Sequence, residues 1–232
     1  MKLNICRLGR IDYGEALALQ ERLVELRQQG LIEDTLLLLE HPPVLTLGVR
    51  GDEANILAAQ EELKANGVGI YRVGRGGDVT YHGPGQIVGY PIIDLTGQGR
   101  DIKRFVWNIE EVFIRLLKEN FGIKAEREDK KYTGVWVGDE KITAIGIAVK
   151  RWVTMHGFAF NVNTNLAHFG WINPCGLADR GVTSLQKLTG REQDFERMNQ
   201  LVAEYFARIF GAEAETADVA ALLRREEAEA DA

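Results

Sequence analysis

Residues 75–93 read Arg75-Gly76-Gly77-Asp78-Val79-Thr80-Tyr81-His82-Gly83-Pro84-Gly85-Gln86-Ile87-Val88-Gly89-Tyr90-Pro91-Ile92-Ile93. The stretch holds two strand-like segments, 79–82 and 87–93, separated by Gly83-Pro84-Gly85. A further strand at 70–73 leads into Gly74-Arg75-Gly76-Gly77. Glycines so closely spaced permit backbone conformations, or an approach of main chain to a ligand, that side chains would block. No Gly-Lys-Ser/Thr follows, which excludes a Walker-type phosphate loop; the run opens no helix, which excludes a dinucleotide-binding turn. A plain turn between strands accounts for the glycines equally well, and His82 by itself reads as a packed, hydrogen-bonded histidine.

Toward the N-terminus, 3–8 reads as a short strand, and Asp12 followed by Glu15 resembles a capping box. Ala16, Leu19, Leu23 and Leu26 then recur at helical spacing until Gly30. The unbroken apolar run 35–39 predicts a buried strand, ended by Pro42-Pro43; 45–48 resumes as strand, and 53–65 is a weaker helix. Toward the C-terminus a helix starts after Asp101, with Ile102, Phe105, Val106, Ile109, Val112, Phe113, Leu116 and Leu117 as its expected apolar face. Segments 135–137 and 141–149 form a hairpin around Gly138-Asp139-Glu140, and 154–162 is a further strand. A last helix presents Phe195, Met198, Leu201, Val202, Tyr205, Phe206 and Ile209 on one face. Strands and helices mix without strict alternation, which predicts an α/β (α+β) single domain: a largely antiparallel sheet flanked by helices.

A chain of 232 residues, 45% hydrophobic and 27% charged, can bury one sizeable core and is neither disordered nor membranous in composition. No apolar run approaches the roughly 20 residues of a spanning helix. The first residues lack the pattern of a secretory signal, so a cytoplasmic location is expected. The net charge is −6, of which residues 211–232 carry −5, with seven acidic and two basic side chains. Composition thus divides the chain into a body, 1–210, and an Ala/Glu-rich end, 211–232, expected to be a solvated helix or a disordered tail that catalysis does not need. A nearly neutral body argues against nucleic-acid binding. His41, His82, His156 and His168 are scattered without zinc-ligand spacing, so no metal is expected.

Two further blocks carry chemistry. Lys141, in Gly134-Val135-Trp136-Val137…Lys141-Ile142-Thr143-Ala144-Ile145-Gly146, starts an apolar strand. Such a lysine either snorkels to solvent or is partly buried and able to trade protons. Cys175, in Ile172-Asn173-Pro174-Cys175-Gly176, stands in a turn and is a candidate nucleophile, whereas Cys6 sits within an apolar strand as a small hydrophobe.

In this order, the block at 75–86, the Gly134–Gly146 pattern, His156-Gly157-Phe158-Ala159-Phe160-Asn161-Val162 and Ile172-Asn173-Pro174-Cys175-Gly176 resemble the octanoyl-carrier-protein:protein octanoyltransferases, also called lipoyl(octanoyl) transferases. Glu40-His41-Pro42-Pro43, Thr46-Leu47-Gly48 and Val182-Thr183-Ser184-Leu185 extend the resemblance over roughly residues 5–205. Asp78 falls where that family varies. The resemblance implies the catalytic fold of biotin and lipoate protein ligases, with Cys175 as acyl-accepting nucleophile and Lys141 as its proton partner. It implies substrate contacts from Arg75, Gly76, Gly77, Asp78, Val79, Thr80, Tyr81 and His82, from Ala144, Ile145 and Gly146, and from Gly157, Phe158 and Ala159. The implied donor is octanoyl-acyl carrier protein. The implied acceptors are lipoyl domains of 2-oxoacid dehydrogenase complexes and the glycine cleavage H protein.

The chemistry is consistent with those roles. Thiolate attack on a thioester gives a second thioester of similar energy, and transfer to an amine is downhill, so neither ATP nor another cofactor is implied. Two readings compete: an ATP-dependent lipoate or biotin protein ligase, which needs no Cys175, and a non-catalytic carrier-binding module, which needs neither Cys175 nor Lys141. An acidic carrier protein would be steered by a basic rim, for which Lys130, Lys131, Lys150 and Arg151 are the candidates.

Overall fold

The computed structural model describes residues 1–128, 132–173 and 180–225. After β1 (Lys2–Arg10), the Asp12 side chain accepts the Gly14 and Glu15 N–H groups and starts α1 (Tyr13–Gln29), which Gly30 closes in the left-handed region. In β2 (Asp34–Glu40) every residue is buried, because strands flank it on both sides and helices cover both faces. That double burial is why its central residues, 36–39, form an unbroken apolar run. The chain then leaves the main sheet to build a smaller one from β3 (Val44–Leu47), β4 (Gly69–Arg72) and β5 (Val79–His82), ordered β4-β3-β5.

Between β3 and β4 the expected helix over 53–65 is split into one helical turn at Glu53–Asn55 and α2 (Gln60–Ala65). The interruption is tertiary: Leu57 and Ala58 donate their N–H groups to Trp171 O, and Ile56 bridges to Ile172. These bonds replace the helical ladder. The Gly83-Pro84-Gly85 turn after β5 does not close a hairpin. It returns the chain to the main sheet as β6 (Gln86–Ile92), which pairs with β2.

Asp101 caps α3 (Ile102–Phe121) through Arg104 N, and β7 (Glu126–Arg127) follows. The expected hairpin is β8 (Gly134–Val137) with β9 (Glu140–Lys150), antiparallel with an irregularity at Val135/Trp136. It continues into β10 (Val153–Asn161). Then come β11 (Gly181–Val182), α4 (Leu185–Thr189) and α5 (Phe195–Phe210). With β12 (Glu213–Thr216) at its edge, the main sheet runs β12-β1-β2-β6-β10-β9-β8-β7, with β11 beside β9. Its β2-to-β7 stretch is antiparallel throughout, and β1 is parallel to β2.

One face packs beneath α3 and α5, where Phe113 meets Phe158 at 4.9 Å and Phe160 at 5.1 Å between ring centroids. The other packs beneath α1 around Leu23, Leu26, Leu37 and Leu39. Each fully buried side chain of this size stabilises by about 1.5–3 kcal/mol.

The acidic end departs from its expectation. Residues Glu213–Thr216 form β12, parallel to β1 in the register Lys2↔Glu213, and Val219–Leu223 form α6, whose Leu222 is buried in the α1-side core. Alternating small and charged residues suit a solvated edge strand as well as a solvated helix; pairing with β1 decides between them.

Candidate active site

The loop between β4 and β5 lies in the cleft between the two sheets and is clamped from both sides. From the small sheet, Gly48, Val49 and Arg50 donate their N–H groups to Asp78 O, Arg75 O and Gly77 O at 3.0–3.1 Å. From the main sheet, Ile147 O accepts Gly76 N at 2.9 Å. Gly146 permits this: a Cβ there would lie 2.7 Å from Gly76 O. The Arg75 side chain is buried, with Nη2 donating to Thr46 O (2.6 Å) and Thr46 Oγ1 (2.8 Å) and Nη1 to Gly76 O (3.1 Å). The Asp78 carboxylate accepts Asn55 Nδ2 (2.7 Å) and Asp52 N (3.3 Å), which fixes the segment after β3.

Beneath the loop is a cavity of about 300 Å³, at the lower end of the roughly 300–1,000 Å³ of small-molecule sites. Arg75, Gly76, Gly77, Asp78, Val79 and Thr80 line one side; Lys141, Ala144, Ile145, Gly146, Ile147 and Ala159 line the other. Val106, Phe169 and Val182 add apolar wall, and Tyr132, Thr133, Trp136 and Arg180 close the Lys141 end. Lys141 Nζ donates to Thr133 O at 3.2 Å and lies 4.8 Å from the centroid of the Trp136 ring. Arg180 covers the same indole at 5.1 Å and pairs with Glu128. An apolar slot with an amine at one end can hold an acyl chain and present its reacting end to a proton-handling group.

Behind the slot a buried hydrogen-bonded row joins the motif blocks. His82 Nδ1 donates to Gln86 Oε1 (2.9 Å), Gln86 Nε2 to Asn161 Oδ1 (2.9 Å), Asn161 Nδ2 to Thr183 O (3.0 Å), and Thr183 N to Lys141 O (3.0 Å). The roles at His82 follow from Gln86, whose amide nitrogen is committed to Asn161. Burial, together with His41 and Arg75 nearby, pushes His82 down to about 3. Burial and the Arg75 charge push His156 down to about 4. Both are neutral imidazoles at ordinary pH, so neither supplies a cation to the site.

Not every expected contact residue faces the cavity. Tyr81 turns into the small-sheet core, its hydroxyl 2.7 Å from His168 Nδ1. Phe158 packs on Phe113, and Gly157 lies against Gly89 and Pro91 of β6. His82, Gly157 and Phe158 border instead a neighbouring cavity of about 50 Å³ with Tyr13, Tyr90 and His156. Cys175, Lys130 and Lys131 lie outside the described residues. Lys150 and Arg151 stand at the far end of β9 from Lys141, about 30 Å along the strand at 3.3 Å per residue. Tyr132, Thr133, Arg180 and Asn161 were not among the expected contacts. Asn161 had a signal, since it closes the His156-Gly157-Phe158-Ala159-Phe160-Asn161 pattern. Arg180 had none.

Among the described residues no helix is long and apolar enough to cross a membrane, and no group of three or more His, Cys, Asp or Glu side chains is arranged to hold a metal ion.

The two-sheet architecture with its clamped loop defines a protein class, the lipoyl protein ligase A/B catalytic domain, whose family pattern residues 12–207 match. Lipoate-protein ligase A, in a crystal structure with ATP bound, superposes with a TM-score of 0.74 at 15% identity, over 97% of this chain and 93% of that one. Biotin protein ligase of Aquifex aeolicus superposes at 0.54 and 15% identity, over 91% and 70%. At such identities the likeness concerns the fold alone. An octanoyltransferase of Caldicellulosiruptor saccharolyticus is 65% identical over 212 residues, 91% of this chain and 90% of the relative. The chain belongs to the octanoyltransferase family, a family of acyltransferases.

Proposed function

We propose that the chain takes octanoyl from octanoyl-acyl carrier protein onto Cys175 and delivers it to a lysine ε-amine of a lipoyl domain, with Lys141 handling the protons. The observation that carries this reading is the Lys141 amine at one end of a slot with apolar and glycine walls. Cys175 precedes the cavity-lining Arg180 by five residues, a tether of at most about 18 Å.

In the first half-reaction the Cys175 sulfur attacks the donor's thioester carbon, and the carrier's phosphopantetheine leaves as a thiol. The proton lost by Cys175 passes to that leaving sulfur by way of Lys141. In the second, the acceptor amine attacks the acyl-enzyme, an amide forms, and the Cys175 thiol is restored. A covalent stage lets two protein partners use one site in turn. Lipoyl domains of 2-oxoacid dehydrogenase complexes and the glycine cleavage H protein are the proposed acceptors, and the reaction is proposed for the cytoplasm without metal or cofactor. Arg75, Gly76, Gly77, Asp78, Val79 and Thr80 would form one wall of the acyl site, and Ala144, Ile145, Gly146 and Ala159 the other.

Incubation with octanoyl-acyl carrier protein, without ATP, tests the reading by intact mass. A gain of one octanoyl group, absent in Cys175→Ser and discharged by an apo lipoyl domain, is expected. No gain without ATP would move the assignment to a ligase.

A further inference from the structure

The peptide unit joining Thr133 to Gly134 has a charged side chain at each end. Its carbonyl oxygen accepts Lys141 Nζ at 3.2 Å, and its N–H donates to Glu110 Oε1 at 3.2 Å. Glu110 comes from α3 and is buried at 6% exposure. Gly134 makes the arrangement possible, because its φ of +141° disfavours other residues and an added Cβ would lie 2.5 Å from Thr143 O and 3.3 Å from Lys141 Cε.

We propose that Glu110 is a positioning residue for Lys141, acting through the peptide unit between Thr133 and Gly134. A carboxylate accepting the N–H increases the negative charge on the carbonyl oxygen, which holds the amine more firmly and favours its protonated form. The coupling acts in both directions: burial raises the Glu110 carboxyl, whereas the Gly134 N–H, Arg127 and Lys141 pull it back. Among the described residues, the other charges facing the pair are Arg127, whose Nε is 3.3 Å from Glu110 Oε2 and which also pairs with Glu111, and Arg180, paired with Glu128 beyond the Trp136 ring. None of these offers Lys141 a second route to Glu110 through the backbone. The inference rests on the reading of Lys141 as the proton-handling group, but its test does not.

The test is NMR titration of the chain with 13Cε-labelled lysine, the Lys141 signal being assigned by its loss in Lys141→Arg. In Glu110→Gln, which retains an acceptor for Gly134 N–H without charge, the Lys141 midpoint should fall by about half a pH unit, and Glu110→Asp should recover part of the shift. In the unaltered chain the same signal should show a second, smaller inflection in the acid range where Glu110 titrates. A Lys141 midpoint unchanged in folded Glu110→Gln would overturn the proposal. Should that variant fail to fold, absence of the acid inflection in the unaltered chain would overturn it. The pH profile of octanoyl transfer is measured in parallel. If the Lys141 titration moves and the transfer profile does not, the positioning role stands and the catalytic reading of Lys141 falls.

Discussion

Of the two cysteines, Cys6 and Cys175, only Cys6 lies among the described residues. Cys6 is buried in β1, and burial, with the Asp218 charge, pushes its thiol up to about 11. At pH 8 only about one Cys6 in a thousand is thiolate. Iodoacetamide at that pH should therefore label Cys175 and leave Cys6 unmodified, as peptide mass mapping would show. Cys6→Ser should retain transfer and Cys175→Ser should lose it; equal losses would end the assignment of the nucleophile. Lys141→Arg keeps a cation beside Trp136 but removes a usable base, because guanidinium stays protonated. Single-turnover octanoyl transfer should fall about 10²- to 10⁴-fold, the contribution typical of a positioned acid–base group. If Lys141→Arg transfers normally, only the field of the side chain matters. At this scale the sequence nominated Lys141 and Cys175 by residue type and pattern, but it could not show which side chains the fold turns toward the cavity. Nothing local to Tyr81 separates it from the cavity; its hydroxyl is drawn away by His168, which is 87 positions distant.

Elements were legible where hydrogen bonds are local or burial is uniform. Asp12, Asp101 and Gly30 mark helix ends because caps are set by near neighbours, and the run 35–39 announced a central strand because both faces of β2 are covered. Long-range pairing was not legible. The helix at 53–65 gave way to bonds with Trp171, and β5 and β6, four residues apart, entered different sheets. The loop over β9 is likewise set by distant contacts, and Gly146 carries the prediction for this scale. In Gly146→Val a Cβ 2.7 Å from Gly76 O and 3.3 Å from Arg75 Cδ must lift the loop. We expect acyl-enzyme formation to fall at least about tenfold, with a stability loss of about 1–3 kcal/mol from overpacking. Gly97→Ala, where nothing lies within 4 Å, should change neither. Rapid-quench loading with octanoyl-acyl carrier protein would measure the difference, and unimpaired loading of Gly146→Val would mean that the loop position is not needed.

Across the whole molecule, buried neutral histidines make stability depend on pH. An unfolded histidine titrates near 6.5, whereas folded His82 and His156 titrate at about 3 and 4, and burial also lowers His41. The folded state therefore holds fewer protons than the unfolded one between those values. Stability from these groups is complete above pH 6.5 and is lost as the pH falls toward 4, at about 1.4 kcal/mol per pH unit for each proton. Asp34 and Glu110, raised by burial, act in the opposite sense at acid pH, so a difference between variants is the cleaner measure. His156 has a φ of +55°, which asparagine tolerates, so His156→Asn should flatten the fall between pH 6.5 and 4 in denaturant titrations by up to one proton. An unchanged slope would show that His156 is already protonated in the folded chain.

The acidic end belongs to the same scale. Glu213 N bonds to Met1 O, Ala217 N bonds to Ile5 O, and Leu222 enters the core beneath α1, yet among the described residues none after Val182 lines the cavity. Ending the chain after Gly211 should thus leave the transfer rate per folded molecule unchanged while uncovering β1 as an edge strand. Stability should fall by about 2–5 kcal/mol, the range for losing a buried leucine, and the shortened protein should aggregate sooner. Ending it after Arg225 keeps β12 and α6 and should behave as the full chain does. Urea unfolding and active-site-titrated transfer on both truncations separate the two contributions. Equal stability of the two would return the segment to the status of a solvated tail, and a lower transfer rate per titrated site after Gly211 would mean that the sheet edge reaches the cavity through β1 and β2.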